Sequence, residues 1–257
     1  MNTHSNTLLT ADEPAPVSVH NAKGQSPFLL VADHAGNLVP RALGTLGVAE
    51  EELRRHIAWD IGIAGLGLLL ADALDATLIQ QNYSRLVIDA NRPLDAASSI
   101  PDISEYTAVP GNNGLDDASR TARAVEIFRP YHDRIEAELD RRRQASRDTV
   151  LISVHSFTPV FKGAKRPWHV GVLYNRDSRL AHRLKALLDA EKEFIVGDNA
   201  PYKVSEATDY TIPVHAERRG LPYVLIEVRQ DLLADETAQG QWAFRLARLL
   251  PLAYRGL

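Results

Sequence analysis

An α/β sandwich around a mostly parallel or mixed sheet is the architecture this sequence predicts, and three observations predict it. Continuous apolar runs such as TVLISVHS (149–156) and PYVLIEVRQ (222–230) suit strands buried on both faces. Between such runs lie longer stretches with apolar residues at helical spacing. No internal repeat, low-complexity block or interdomain linker breaks the alternation, so a single domain over 21–257 is expected behind a flexible polar arm at 1–20.

The elements follow in order. SPFLLVADH (26–34) reads as a strand whose apolar core ends in polar residues. EEELRRHIAWDIGIAGLGLLLADAL (50–74) has helical periodicity and opens with acids, which favour a helix N-terminus. ATLIQQNY (76–83) and RLVIDAN (85–91) are the next strands. PLDAASSIPDISEYTAVPGNNGL (93–115), rich in Pro, Gly and Asn, is long for a connector and reads as a functional loop. DDASRTARAVEIFRPYHDRIEAELDRRRQA (116–145) is helical, with Pro130 kinking it or dividing it in two. TVLISVHS and WHVGVLYN (168–175) are strands, and DSRLAHRLKALLDAE (177–191) is a helix with Asp177 as N-cap. PYVLIEVRQ is the last strand and AQGQWAFRLARLL (238–250) the last helix.

Composition narrows the function. The 257 residues can bury one large core or two small ones, and the net charge of −4 gives no general nucleic-acid footprint. Cysteine is absent, which excludes disulfides, a thiol nucleophile and thiolate metal sites. Any metal must therefore be held by His, Asp and Glu. The first twenty residues lack the basic start and apolar stretch of a signal peptide, and IGIAGLGLLLADAL is too short and glycine-broken to span a bilayer. A cytoplasmic protein without membrane or nucleic-acid partners is expected; the oligomeric state is open.

Ligands of open α/β sheets gather beyond the carboxyl ends of the strands, and polar groups collect there in this chain. The first strand ends in Asp33 and His34, the third in Asp89, Asn91 and Arg92 with Arg85 at its start, and TVLISVHS in His155. Glu227 stands inside an apolar strand between Ile226 and Val228. A single strand-end histidine is more often a hydrogen-bonded structural group, and Arg85, Asp89 and Arg92 also read as a structural ion-pair cluster. A carboxylate inside an apolar strand is rarer, since it must be paired or protonated. Two histidines on different strands with an acid on a third resemble a catalytic zinc shell, although HExxH is absent. His56 and Asp60, four apart on the expected helix, would share a face; Asp60, between Trp59 and Ile61, is the better placed.

Taken together, VADHAGNLVP, HIAWDIG, YSRLVIDANRP, LISVHSFTPV and IEVRQD resemble the N-formylglutamate amidohydrolase family, from about residue 26 to 250. The resemblance implies a three-layer α/β/α sandwich, hydrolase-like and zinc-exopeptidase-like, related to zinc carboxypeptidases and the aspartoacylase group. It implies hydrolysis of a small anionic N-acyl amino acid, N-formyl-L-glutamate giving formate and L-glutamate. His34 and His155 would be metal ligands, and Asn91 and Arg92 would clamp the substrate carboxylate. Arg85 would be a second arginine that also helps stabilise the oxyanion, and Glu227 the general base. The wider superfamily often places Glu three residues after the first histidine, where this chain has Asn37. A neutral amide is a poor zinc ligand, so Asp60 takes the third position. The implied cofactor is Zn²⁺ or another divalent metal.

Formylglutamate has two carboxylates, and Arg85, Arg166 and Arg176 are candidates for the second cationic contact. FTPVFKGAKRPWH (157–169) reads as a surface loop, or as a lid hinged at Gly163 that turns Lys162, Lys165 and Arg166 to an acidic ligand. Tyr210 and His215 read as structural groups or as donors to the reaction centre. Two other functions fit the same residues: a carboxypeptidase-like hydrolase of another carboxylate-bearing amide, or a non-catalytic binding protein. Asn37 favours the latter and Glu227 opposes it.

Overall fold

Side-chain alternation along the strands divides the apolar residues between the two faces of a seven-stranded sheet. The computed structural model describes residues 7–255 and 257. The strands are β1 (Val17–His20), β2 (Phe28–Ala32), β3 (Thr77–Gln81), β4 (Val150–Phe157), β5 (Val170–Leu173), β6 (Val196–Asp198) and β7 (Tyr223–Arg229). Their order is β1-β3-β2-β4-β7-β5-β6. The central β3, β2, β4 and β7 run parallel, β1 and β5 pair antiparallel to their inner neighbours, and β6 runs parallel to β5.

The helices are α1 (Ile63–Leu74), α2 (Asp117–Arg123), α3 (Arg129–Gln144), α4 (Arg179–Ala190) and α5 (Glu236–Tyr254). Leu30, Ile152, Val154, Ile226 and Val228 pack against α1, α4 and α5. Leu29, Val31, Leu151, Tyr223 and Leu225 face Tyr131, Ile135 and Leu139 of α3 and the turn Ile212–Ala216. The result is a three-layer α/β/α sandwich around a mixed, mostly parallel sheet, as expected. A separate apolar cluster, including Leu46, Ile57, Tyr83, Leu86, Val87, Ile127 and Phe128, roots the long connections beside the sheet.

Several expected elements differ. RLVIDAN is buried but forms no strand. Its backbone groups are satisfied from outside the sheet: Asn112 Nδ2 donates to Leu86 O at 2.8 Å, Arg123 Nη1 to Val87 O at 2.9 Å, and Asp89 N to Ser99 O at 2.7 Å. An apolar run shows burial but not pairing, because backbone polarity can be met by side chains instead. The helix expected over 50–74 begins only at Ile63, so His56 and Asp60 do not share a helical face. Gly62 precedes it at φ 83°, and a Cβ there would lie 2.5 Å from Leu233 Cβ, which fixes the glycine and the break.

The 116–145 helix is joined by a wide turn at Ala124–Phe128, where Arg129 N donates to Ala124 O five residues back. That turn immediately precedes Pro130 and accommodates its missing donor. Asp177 is not the N-cap of α4: Ser178 holds that position, and Asp177, two residues before the helix, accepts from Arg179 N. Residues 7–20 are not the flexible arm expected: β1 pairs with β3, and the N–H groups of Leu8 and Leu9 donate to the Glu126 carboxylate, each at 2.8 Å. Residues 1–6 of that expected arm lie outside the described residues. Among the described residues no helix is long and apolar enough to cross a membrane.

Candidate active site

β4 and β7 run parallel with His155 and Glu227 as direct partners, so both side chains emerge side by side on the α3 face of the sheet. The alternation Leu151–Ser153–His155 and Tyr223–Leu225–Glu227 places them at the carboxyl ends of the strands. His34 follows the end of β2. Asp60 comes from the turn ahead of α1, which is held to this edge by Asp60 N donating to His34 O at 2.9 Å. One ligand atom each from His34, Asp60 and His155 lies within 4.8 Å of the other two, and all three residues are buried.

Both imidazoles are fixed from behind. His34 Nε2 is 2.6 Å from Asp89 Oδ1, and His155 Nε2 is 2.9 Å from Asp33 Oδ2. Asp33 is braced in turn by the hydroxyls of Tyr131 at 2.9 Å and Thr211 at 2.6 Å. Asp89 accepts from Arg85 Nη2 at 2.7 Å and Asn91 N at 2.9 Å. When the rings are neutral and Nε2 donates outward, both Nδ1 atoms turn their lone pairs toward Asp60, at 3.5 Å for His34 and 2.9 Å for His155. This carboxylate–imidazole pairing is the outer arrangement that orients metal-binding histidines. Buried His34 Nδ1 has no hydrogen-bond partner.

Burial opposes ionisation of Asp33, Asp60 and Asp89, yet the adjacent imidazoles, and Arg85 beside Asp89, hold all three below the ordinary carboxylate range. Burial also pulls both imidazoles down, but the carboxylates outweigh it and raise them. Three carboxylates face a single guanidinium here, so neutral histidines leave two uncompensated negative charges. The donor set, its charge and its orphaned nitrogen all fit a divalent cation. Glu227 borders this cluster with Oε2 buried and unpartnered. Burial pushes its carboxyl up to about 7, with Asp60 adding to the rise and His155, His34 and Arg85 opposing it.

A cavity of about 440 Å³ opens over these groups, lined also by Arg85, Asn91, Arg92, Glu105, Phe161, Tyr202 and Lys203. Arg85 is committed to Asp89 and Asp60, which limits it as a free anchor for a second substrate carboxylate. Asn91 spends its carbonyl on the N–H groups of Tyr210 and Thr211, both at 3.0 Å, and one amide N–H on Asp209 at 3.1 Å. Arg92 lines the wall and donates from Nη1 to the carbonyls of Asn91 and Thr208. Arg166 stacks at 4.7 Å on both Phe161 and Tyr202 and donates to the Tyr202 hydroxyl at 2.9 Å. Arg176 does not line the cavity, because Glu206 and Glu217 pair with it elsewhere.

Asn37 donates to Leu53 O and takes no part in the cluster. His56 lines the cavity near Glu105. In the 157–169 segment, Phe157, Thr158 and Phe161 reach the cavity, whereas Lys162, Lys165 and Arg166 do not. The histidine-holding roles of Asp33 and Asp89, and the places of Tyr202, Lys203 and Asp209 on the wall, are not expected from the sequence. The signal for the first two was adjacency to a strand end; for the others there was none, since their segment is irregular. A larger groove of about 800 Å³ beside α3 and residues 214–221 shares none of the cluster residues.

Behind the site lies a neutral histidine pair. His132 Nε2 donates to Ala90 O at 2.8 Å, so its Nδ1 must accept from His215 Nε2 at 2.9 Å. Burial lowers His132 to about 4 and His215 to about 3. The unfolded chain, with ordinary imidazoles, therefore takes up protons first as the pH falls. The native state is expected to lose on the order of a few kcal/mol from this pair between roughly pH 6.5 and 4, with no loss above that window. Urea unfolding of His132→Asn across that range is expected to show a shallower dependence.

Comparison with known proteins places the chain. It is 28% identical over 181 residues to the N-formylglutamate deformylase of Pseudomonas putida, covering 64% of this chain and 67% of that one. A solved gene product of Agrobacterium tumefaciens superposes with a TM-score of 0.94 at 38% identity, covering 97% of this chain and 98% of the other. An N-formylglutamate amidohydrolase from Ralstonia eutropha shares the fold, with a TM-score of 0.65 at 19% identity over 95% of this chain and all of that one. The family model described as N-formylglutamate amidohydrolase matches residues 26–234, which include every residue of the cluster, and the chain belongs to that amidohydrolase family.

Proposed function

We propose that this protein is a divalent-metal-dependent deformylase that hydrolyses N-formyl-L-glutamate, or a close N-acyl amino acid, to the free acid and amino acid. The observation that carries the reading is the buried, unpartnered Nδ1 of His34 facing Asp60 and His155, with unpartnered Glu227 Oε2 beside them. His34, Asp60 and His155 would hold the cation, zinc being the first choice for such a donor set. When bound, it supplies Lewis acidity toward the amide carbonyl and toward water.

The chain's own residues do the rest. Arg92 grips the substrate carboxylate through charge-assisted hydrogen bonds, with the remaining Asn91 amide proton beside it. Fixing the carboxylate orients the amide carbon, and orientation alone removes several kcal/mol from a bimolecular barrier. Glu227 accepts a proton from the attacking water as its oxygen bonds to the carbonyl carbon, then returns that proton to the nitrogen as the C–N bond breaks. The positive charge of Arg85 stabilises the oxyanion between these steps. Glu227 also argues against a purely binding role, since a ligand pocket has no need of an unpartnered buried carboxyl.

The test is direct. The purified protein is expected to carry about one divalent cation per chain by elemental mass spectrometry and to release formate from N-formylglutamate, with activity lost on chelation and regained on readdition. Faster cleavage of peptides or other N-acyl amino acids would move the reading to the carboxypeptidase-like alternative. Absence of both metal and turnover would overturn it. Arg92→Ala is expected to weaken ligand affinity by about 2–5 kcal/mol in calorimetric titration, the scale for removing one partner of a charged pair.

A further inference from the structure

A dicarboxylate ligand needs two cationic contacts, and the cavity offers few that are uncommitted. Arg85 is held by Asp89 and Asp60, while Arg166, pinned to Tyr202, and Arg176 both lie outside the lining. With Arg92 assigned to one carboxylate, the remaining cation on the wall is Lys203, whose ammonium has no hydrogen-bond or ion-pair partner among the described residues. We propose that Lys203 is the specificity-determining residue that reads the side-chain carboxylate of an acidic N-acyl amino acid, an assignment that rests on the function proposed above.

The wall around Lys203 is built to hold its place. Tyr202 before it is fixed by Arg166 through a 2.9 Å hydrogen bond and a stacked guanidinium. Val204 after it is fully buried in the core under α3. Downstream, Arg92 donates to Thr208 O, Ser205 N donates to Asp209 at 3.0 Å, and Asn91 holds Asp209 and the backbone of Tyr210 and Thr211. Arg92 and Lys203 are thereby tied to one clamped loop, which sets the separation between the two cations. The nearby acid Asp209 makes no ion pair with Lys203; its oxygens accept from Asn91, Ser205 and Thr208 instead. A cation at the rim binds modestly through charge, so it acts on preference between ligands more than on total affinity.

The experiment compares N-formylglutamate with N-formylglutamine, equal in shape but lacking the distal charge, in kcat/KM and in equilibrium binding to the metal-loaded enzyme. The expected result is that the native enzyme prefers the acid and that Lys203→Met lowers this ratio about fivefold or more, mainly through KM. Lys203→Arg restores most of it. Arg92→Ala, which loses the contact common to both ligands, weakens the binding of both. A ratio that persists in Lys203→Met, or a native enzyme that binds both ligands equally, overturns the proposal. Selective binding without turnover of either ligand removes the hydrolytic reading instead, and the binding ratio of Lys203→Met still decides the role of the lysine.

Discussion

Glu227→Gln is expected to lower kcat by about 10²- to 10⁴-fold, the range that a positioned general base contributes. The substitution keeps the shape and loses only the proton acceptor, at a position where Gly171 and His155 are the cross-strand neighbours and there is no ion pair to break. Cation content should stay near one per chain, because the His34, Asp60 and His155 donors are untouched. Affinity for N-formylglutamate should hold or improve, since one anionic neighbour of an anionic ligand is gone. Single-turnover kinetics with parallel calorimetry separates these effects. Activity within a few-fold of the native enzyme would remove Glu227 from the reaction and return it to an ordinary buried carboxyl.

The second large effect is on the cluster itself. His155 touches two buried carboxylates, with Nε2 at 2.9 Å from Asp33 and Nδ1 at 2.9 Å from Asp60. His155→Ala removes one metal donor and also strands both acids away from water. Breaking a buried charged pair from one side costs roughly 3–5 kcal/mol, a large share of the 5–15 kcal/mol typical of a domain. The expected outcome is loss of the cation, measured by elemental mass spectrometry, and a fall of that size in unfolding free energy by urea titration. Chelation of the native protein should reproduce only the smaller part due to lost ligand binding. If metal content is unchanged, the cation lies elsewhere; if stability is unchanged, the Asp33 and Asp60 contacts carry no energy.

The fates of particular residues show where sequence sufficed. FLLVA, VLISVHSF and YVLIEVR become central strands because continuous apolar runs of that length bury well only between two layers of helices. Glu227 could be singled out because a carboxylate inside an apolar strand must be paired or protonated, and His34 and His155 through their conjunction with an acid at neighbouring strand ends. RLVIDAN misled for the complementary reason. Burial alone raised its apolar content, while its hydrogen-bond partners, Asn112 and Arg123, arrive from more than twenty residues away. Asp60 is legible as a ligand from its apolar neighbours Trp59 and Ile61 and from the unsuitability of Asn37; although the expected helix around it is absent, it stands beside both histidines because its turn is bonded to His34.

Sequence by itself therefore determined the layers of this protein: the strand and helix runs, the lack of thiol chemistry, and the polar groups at the strand ends, all set by short-range patterns of apolar and charged side chains. Tertiary structure decided which of those polar groups meet. It aimed Asp33 and Asp89 at the backs of the two imidazoles, tied up Arg85 and Arg176 in ion pairs, and brought Lys203 to the cavity wall. Those outcomes depend on the parallel register of β4 with β7 and on loops closed over long sequence separations. Hydrogen bonds and ion pairs act over a few ångströms in space, and no local pattern in the chain encodes that proximity.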